Sequence, residues 1–112
     1  MKRPLLTRRL VLEAPADTPD GAGGHAEGWT ALGTLWAEVE VRSGGDRRGP
    51  AVPQSRLALR ITLRAVAEGS LSRPQPGQRF REGARVYRLR AVGIADPFGR
   101  YLTCYAEEEV VA

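Results

Sequence analysis

Strict alternation of apolar and polar residues over positions 56–64 is the feature that most constrains the fold of this chain. Leu57, Leu59, Ile61 and Leu63 occupy every second position of that segment. Side chains two positions apart lie on one face of a β-strand, whereas a helix would scatter these four around its circumference. The segment therefore predicts a strand with one face toward a core and the other toward solvent.

Weaker alternation elsewhere in the chain predicts an all-β fold. The further predicted strands are Leu6–Glu13, Leu35–Arg42, Arg85–Ile94 and Arg100–Val110. We expect Pro15 to stop the first of them, because proline cannot donate a hydrogen bond to the sheet. Five to six short strands separated by turn residues predict a small antiparallel β-barrel or sandwich. A chain of 112 residues fits one domain, so residues 1–112 are assigned to it.

The connections between the predicted strands divide into one tight turn and two long loops. The turn Asp96–Gly99 predicts a hairpin between the last two strands, with Leu89 and Leu102 buried in it. The segments Ala14–Gly28 and Ser43–Ser55 lack strand periodicity and are predicted as loops. Loops of this length are uncommon in so small a domain and are usually functional or disordered.

Charge and cysteine content exclude several classes of protein. Seventeen basic residues against 13 acidic ones give a net charge of +4, and the great excess of arginine over lysine reflects a GC-rich genome rather than dedicated nucleic-acid binding. The single cysteine cannot form an internal disulfide, which suits a reducing compartment. No apolar run approaches the roughly 20 residues of a membrane helix, and we expect neither a membrane association nor a secretory signal.

The residues with catalytic or metal-binding chemistry are too few to form an active site. His25 lies in a glycine-rich segment without a partner, which favours an exposed loop histidine. Cys104 shares a strand face with Leu102 and Ala106, which favours a buried structural cysteine. One histidine and one cysteine do not make a zinc site of the usual kind. We expect no catalytic residues, no metal and no cofactor.

Charged residues on two predicted strands are candidates for contacts between subunits. Arg56, Arg60 and Arg64 recur at four-residue steps, about 13 Å apart on a strand. This spacing fits a phosphate backbone, a solvated face or a subunit contact, and the absence of interleaved aromatic rings favours the last two. Glu107, Glu108 and Glu109 are consecutive, so a strand sends them to alternating faces, which suits a solvated or partner-facing terminus.

The order of these features resembles the phage head–tail joining family, also called head–tail adaptor or head completion proteins. The resemblance covers nearly the whole chain and is most specific near its end. Its elements are the strand Leu6–Glu13, the glycine-rich segment before Trp29, the strand opening Leu35-Trp36-Ala37, the strand Arg56–Arg64, and the closing Tyr87-Arg88-Leu89 and Leu102-Thr103-Cys104-Tyr105-Ala106-Glu107. The composition is also similar to family members from alphaproteobacterial prophages and gene transfer agents.

The resemblance implies a structural particle protein. A small β-barrel of this kind forms a homo-oligomeric ring, usually twelve-fold, in the head–tail neck, after assembly in the bacterial cytoplasm. A portal or adaptor protein lies on the head side and a tail terminator or tail protein on the other. The ring seals the channel that holds packaged double-stranded DNA and provides the platform for tail attachment.

The resemblance also implies a role for the loop Ser43–Ser55, which in such proteins reaches into the channel as a stopper. The matching residues here are Ser43, Gly44, Gly45, Asp46, Arg47, Arg48 and Gly49. Arg47 and Arg48 are placed to touch DNA, and a loop that contacts only a neighbouring subunit is the other interpretation. The alternative function is a small OB-like β-barrel that binds nucleic acid directly, and its affinity would fall steeply with salt.

Overall fold

A computed structural model of the chain describes residues 3–19, 21, 25–43 and 54–111. Every regular element in those ranges is a strand, which confirms the predicted all-β fold. The strands are β1 (Arg8–Pro19), β2 (His25–Ser43), β3 (Gln54–Arg64), β4 (Arg79–Glu82), β5 (Arg85–Ile94) and β6 (Tyr101–Val111). The described residues include no helix with the length and hydrophobicity needed to cross a membrane.

The six strands close into an antiparallel barrel in the order β1-β2-β3-β6-β5-β4. At one end of this barrel, here named the loop end, β2 finishes, β3 begins and the turn between β4 and β5 lies. At the opposite end, here named the ribbon end, β1 finishes and β2 begins. The charged residues described below are located by reference to these two ends.

The barrel interior is filled by apolar side chains from all six strands. The buried set is Leu10, Leu12, Ala37, Leu59, Ile61, Leu63, Phe80, Tyr87, Leu89, Leu102, Cys104 and Ala106. The predicted face of β3 is confirmed, with three of its four apolar residues buried and Leu57 partly buried against the core. A core this continuous leaves no passage through the barrel.

The predicted hairpin between the last two strands is also confirmed. β5 pairs with β6 through a register that sets Leu89 opposite Ala106 and Ile94 opposite Leu102. The Asp96 carboxylate accepts hydrogen bonds from three amide groups of the turn, at 2.8–3.2 Å. Gly99 takes a positive φ of 67°, a conformation that favours glycine, so this turn fixes the register of the pair.

The prediction that Pro15 stops the first strand is wrong. β1 continues to Pro19 and β2 begins at His25, so most of the predicted loop Ala14–Gly28 is a two-stranded ribbon. Beyond Glu13 the described partner of β1 is β2 alone, because the pairing with β4 ends there. A proline is tolerated at such an edge, since no second strand needs its missing N–H.

The structure adds one strand that the sequence pattern did not predict and trims one loop. β4 has only four residues, of which Phe80 alone is buried, so it offers too short a pattern to recognise. Ser43 belongs to β2, while Gln54 and Ser55 belong to β3. The remainder of the predicted loop, 44–53, lies outside the described residues.

Candidate assembly interface

The predicted channel loop joins two neighbouring strands at the loop end of the barrel. Ser43 lies opposite Ala58 at the last pairing of β2 with β3, and an irregularity between Val41 and Ser43 interrupts the register just before it. The segment that follows, which includes Gly44, Gly45, Asp46, Arg47, Arg48 and Gly49, lies outside the described residues. The described strands therefore place both points from which this loop departs at the loop end, with Gln54 four residues beyond the pairing of Ser43 and Ala58.

A network of ion pairs lies just inside that rim. Arg8 donates from Nε to an Oε of Glu82 at 2.7 Å, and the Tyr87 hydroxyl donates to the other Oε at 2.7 Å. Arg85 makes two parallel hydrogen bonds of 2.8 Å to the carboxylate of Glu108, which is only 6% exposed. These residues come from the ends of β1, β4, β5 and β6, and they close the loop end with paired charges.

The electrostatics of this network favour its charged form. The hydrogen bond from Arg8 holds the pKa of Glu82 at about 2, against the opposing effect of burial. The hydrogen bond from Glu108 raises the pKa of Arg85. Burial and the hydrogen bond to Glu82 raise the pKa of Tyr87. The buried carboxylate of Glu108 and the partly buried one of Glu82 thus each have an arginine partner, as removal of a charge from water requires.

A second charged cluster holds the root of the ribbon on the outer face. Glu13 accepts hydrogen bonds from Arg79 at 2.7 Å and from Arg81 at 2.9 Å, and its side chain is 8% exposed. Burial raises the pKa of Glu13, but the two arginines outweigh that effect and lower it overall. The Trp29 ring covers the Arg79 guanidinium at 4.1 Å. The cluster attaches the start of the ribbon, at Glu13, to β4.

The three predicted arginines of β3 all lie on the outer face, yet they differ in their partners. Arg60 contacts Glu40 of β2 at 3.3 Å, and Arg56 contacts Glu109 of β6 at 3.7 Å. Arg64 makes no ion pair with any described residue. Two of the three are therefore used within the chain, and a contact with another subunit stays a prediction for all of them.

The three consecutive glutamates alternate between faces, as a strand requires. Glu108 points into the barrel toward Arg85, whereas Glu107 contacts Arg90 at 2.9 Å on the outside. Glu109 pairs outside with the first arginine of β3. All three carboxylates thus have partners within the chain, and their role at a subunit interface remains a prediction.

The remaining reactive residues of the sequence lie apart from these clusters. Cys104 is free and buried in the core, and burial raises the pKa of its thiol to about 12, so the thiolate that would act as a nucleophile is disfavoured. His25 opens β2 in the ribbon. The described part of the chain contains no group of three or more residues placed to hold a metal ion.

Sequence reasoning missed the network at the loop end, although a signal for it existed. Arg8 has the same strand parity as Leu10, Arg85 the same as Tyr87, and Glu108 the same as the core cysteine. Charges on a core face at the ends of strands indicate a polar closure of a barrel. The role of Glu82 could not be predicted because its strand, β4, was not predicted.

The described residues thus define a small closed β-barrel with a filled interior, a ribbon at one end and a rim of ion pairs at the other. The chain belongs to the phage head completion protein family, whose sequence model matches residues 1–109. A solved structure described as the virion of a native gene transfer agent particle contains a chain that is 50% identical. The similarity covers 98% of this chain and 100% of that one, with a TM-score of 0.83. No curated protein sequence matches the chain.

Proposed function

We propose that this protein is a structural component of a phage-like particle, in the neck that joins head to tail. The observation that carries the proposal is the 50% identity to a chain of a gene transfer agent particle, over the full length of that chain. The family match over residues 1–109 supports the same role.

The proposed working unit is a homo-oligomeric ring, twelve-fold by the family resemblance. A barrel of six strands encloses only its own side chains, and here the interior is filled by the core and closed by ion pairs at the loop end. A channel wide enough for double-stranded DNA therefore has to be enclosed by several copies. In this arrangement a portal or adaptor protein contacts one side of the ring and a tail protein the other.

Within the ring, we assign the segment 43–55 to the channel wall. Its sequence contains three glycines, two prolines and two adjacent arginines, with Val52 as its one large apolar residue. Such a segment buries too little apolar surface to offset the entropy of ordering it, so neighbours or DNA must supply the contacts. Both strands that carry it end at the loop end, which orients that end toward the channel.

The proposal is tested by replacing residues 44–53 with five glycines in cells that make the particles, a linker long enough to connect Ser43 to Gln54 without disturbing either strand. The barrel should still fold, because the entropic cost of closing a surface loop changes only slowly with its length. Heads should fill with DNA and then lose it or fail to acquire tails, so the yield of infectious or transducing particles should fall sharply. Normal DNA retention and normal delivery by the shortened chain would refute the role of this loop.

A second variant separates the two roles considered for the loop. Replacing Arg47 and Arg48 by alanine keeps its length but removes its positive charge. If the loop contacts DNA, retention should fall while the ring still forms. If the loop contacts only neighbouring subunits, this variant should retain DNA as the wild type does.

A further inference from the structure

Three arginines meet around one hollow at the ribbon end of the β3–β6 pair. Arg64 ends β3, Arg100 precedes β6, and Arg3 reaches the hollow from the N-terminal segment, which crosses the outer face of β2 where the Leu5 amide donates to Glu38. The hollow has a volume of about 480 Å³. Its other lining residues are Pro4, Leu6 and Tyr101. The described residues that line it thus include three cations and no acid.

These three arginines differ from most others in the described ranges because none of them has an acidic partner there. Seven other arginines form ion pairs with described glutamates, whereas Arg3, Arg64 and Arg100 form none with the described residues. Asp96 lines one adjoining hollow, but its carboxylate oxygens already accept three amide hydrogens of the turn. Glu38 and Glu40 line another that Arg3 also borders, and they accept from the Leu5 amide and from Arg60. Like charges gathered in this way favour an anionic group from outside the barrel.

The ribbon has the opposite charge. Its sequence from Ala14 to Gly28 contains three acidic residues and no lysine or arginine. The register places Asp17 opposite Glu27, and like charges at directly paired positions destabilise an antiparallel pair. The ribbon strands beyond Glu13 pair only with each other among the described residues. An isolated two-stranded ribbon is marginally stable, so a cationic partner would stabilise this one.

We propose that the ribbon of one subunit docks on the arginine hollow of the next copy of the chain. The argument is charge complementarity between the acidic sequence of the ribbon and a hollow lined by three arginines that have no ion pair among the described residues. The ribbon strand from Ala14 to Pro19 extends about 20 Å beyond the barrel, at the usual rise of a strand, which is enough to reach a neighbour. Two different surfaces that bind each other make the head-to-tail contact that a ring requires. The inference rests on the proposed ring.

The test reverses each surface and then both surfaces in the same chain. One variant carries R64E and R100E, a second carries D17R and E27R, and a third combines all four changes. The number of copies of the chain in purified particles is measured by quantitative mass spectrometry, and the melting of each isolated chain is measured in parallel. Reversal of one surface alone should lower incorporation at least about tenfold, since like charges then face each other. The chain with both surfaces reversed should be incorporated as the wild type is.

A matched control reverses two exposed arginines elsewhere. R9E with R88E makes the same change in net charge as the reversal of the hollow, and neither residue has an ion pair with the described residues. This control should be incorporated normally. If R64E with R100E lowers the melting temperature, the neutral pair R64Q with R100Q replaces it and should still lower incorporation several-fold in a folded chain.

Three results would overturn the docking. The first is normal incorporation of a chain in which only one surface is reversed, or of the neutral pair. The second is continued exclusion of the chain that combines all four changes. The third is exclusion of the control as strong as that of the reversals. Normal incorporation with loss of packaged DNA would identify DNA as the occupant of the hollow and would also overturn it. All these results require the wild-type chain to be present in the particles, whereas its absence from them would refute the proposed function itself.

Discussion

At the loop end of the barrel, Arg8 and Arg85 point inward and each meets a carboxylate, whereas at the ribbon end Arg64 and Arg100 lie outside without an acidic partner among the described residues. The first pair of arginines is fixed by hydrogen bonds at 2.7–2.8 Å. The second pair borders an open hollow. One residue type therefore closes the barrel at one end and remains available for a partner at the other.

The difference follows from the cost of removing charge from water. The carboxylates of Glu82 and Glu108 are largely removed from water, with side chains 24% and 8% exposed, and a carboxylate in that position is stable only beside a cation, so the loop end had to be complete within the chain. A guanidinium on the surface stays hydrated and needs no partner for folding. Variants at the loop end should therefore change stability, and variants at the ribbon end should change assembly.

The largest effect on stability is expected in the apolar core that connects the two ends. Ile61→Ala should lower the free energy of unfolding by about 2–5 kcal/mol, because Ile61 is fully buried and its removal leaves a cavity. Arg60→Ala, one position away on the outer face, should cost at most about 1 kcal/mol, as is usual for an exposed ion pair. Urea unfolding of both variants measures this, and equal losses would refute the assignment of strand faces.

An intermediate effect is expected from the network at the loop end. Glu82→Gln removes the carboxylate that holds Arg8 and the Tyr87 hydroxyl, and should cost about 1–3 kcal/mol. The matched control is Glu40→Gln, which changes the same group in an exposed pair and should cost less than about 1 kcal/mol. Urea titrations compare the two. If they cost the same, the inward charges contribute no more than surface ones, and the contrast between the ends fails.

The smallest effect is expected in the dependence of stability on pH. The pKa of Glu82 is about 2 in the folded chain, below its ordinary value of 4.5, so the unfolded chain binds more protons in between. Its contribution to stability is present above pH 4.5 and is lost as the pH falls toward 2.

Thermal melting of the wild type and of Glu82→Gln between pH 7 and pH 3 measures this contribution. The gap between their melting temperatures should narrow as the pH falls. Glu13, whose pKa is also lowered, is present in both proteins, so its protonation at low pH lowers the stability of both and does not change the gap. A gap that stays constant would show that Glu82 does not titrate below its ordinary range.

The sequence predicted those parts of the fold that depend on local pattern. The alternation of β3 fixed its core face, and the turn Asp96–Gly99 predicted the β5–β6 hairpin, because both signals lie within a few residues. The ribbon was missed because Pro15 is unfavourable in a central strand but tolerated in an edge strand. Only the topology shows that β1 is an edge strand at that point.

The candidate surfaces were harder to predict because they depend on contacts between distant residues. Arg8 and Glu82 are 74 positions apart, and no local pattern pairs them. Arg64 was predicted as a contact residue from its spacing, but Arg100 joins it only through the pairing of β3 with β6, and Arg3 only because the N-terminal segment crosses the sheet. The resemblance to head completion proteins carried the functional prediction, and the family match confirmed that resemblance.

Electron microscopy of particles made with and without this gene tests the proposed function most directly. Without the gene, the account predicts heads that lack tails and that have lost their DNA, and a plasmid copy of the gene should restore tailed, filled particles. The restored particles should show density for the barrel in the neck. Tailed and DNA-filled particles from cells that lack the gene would contradict the account.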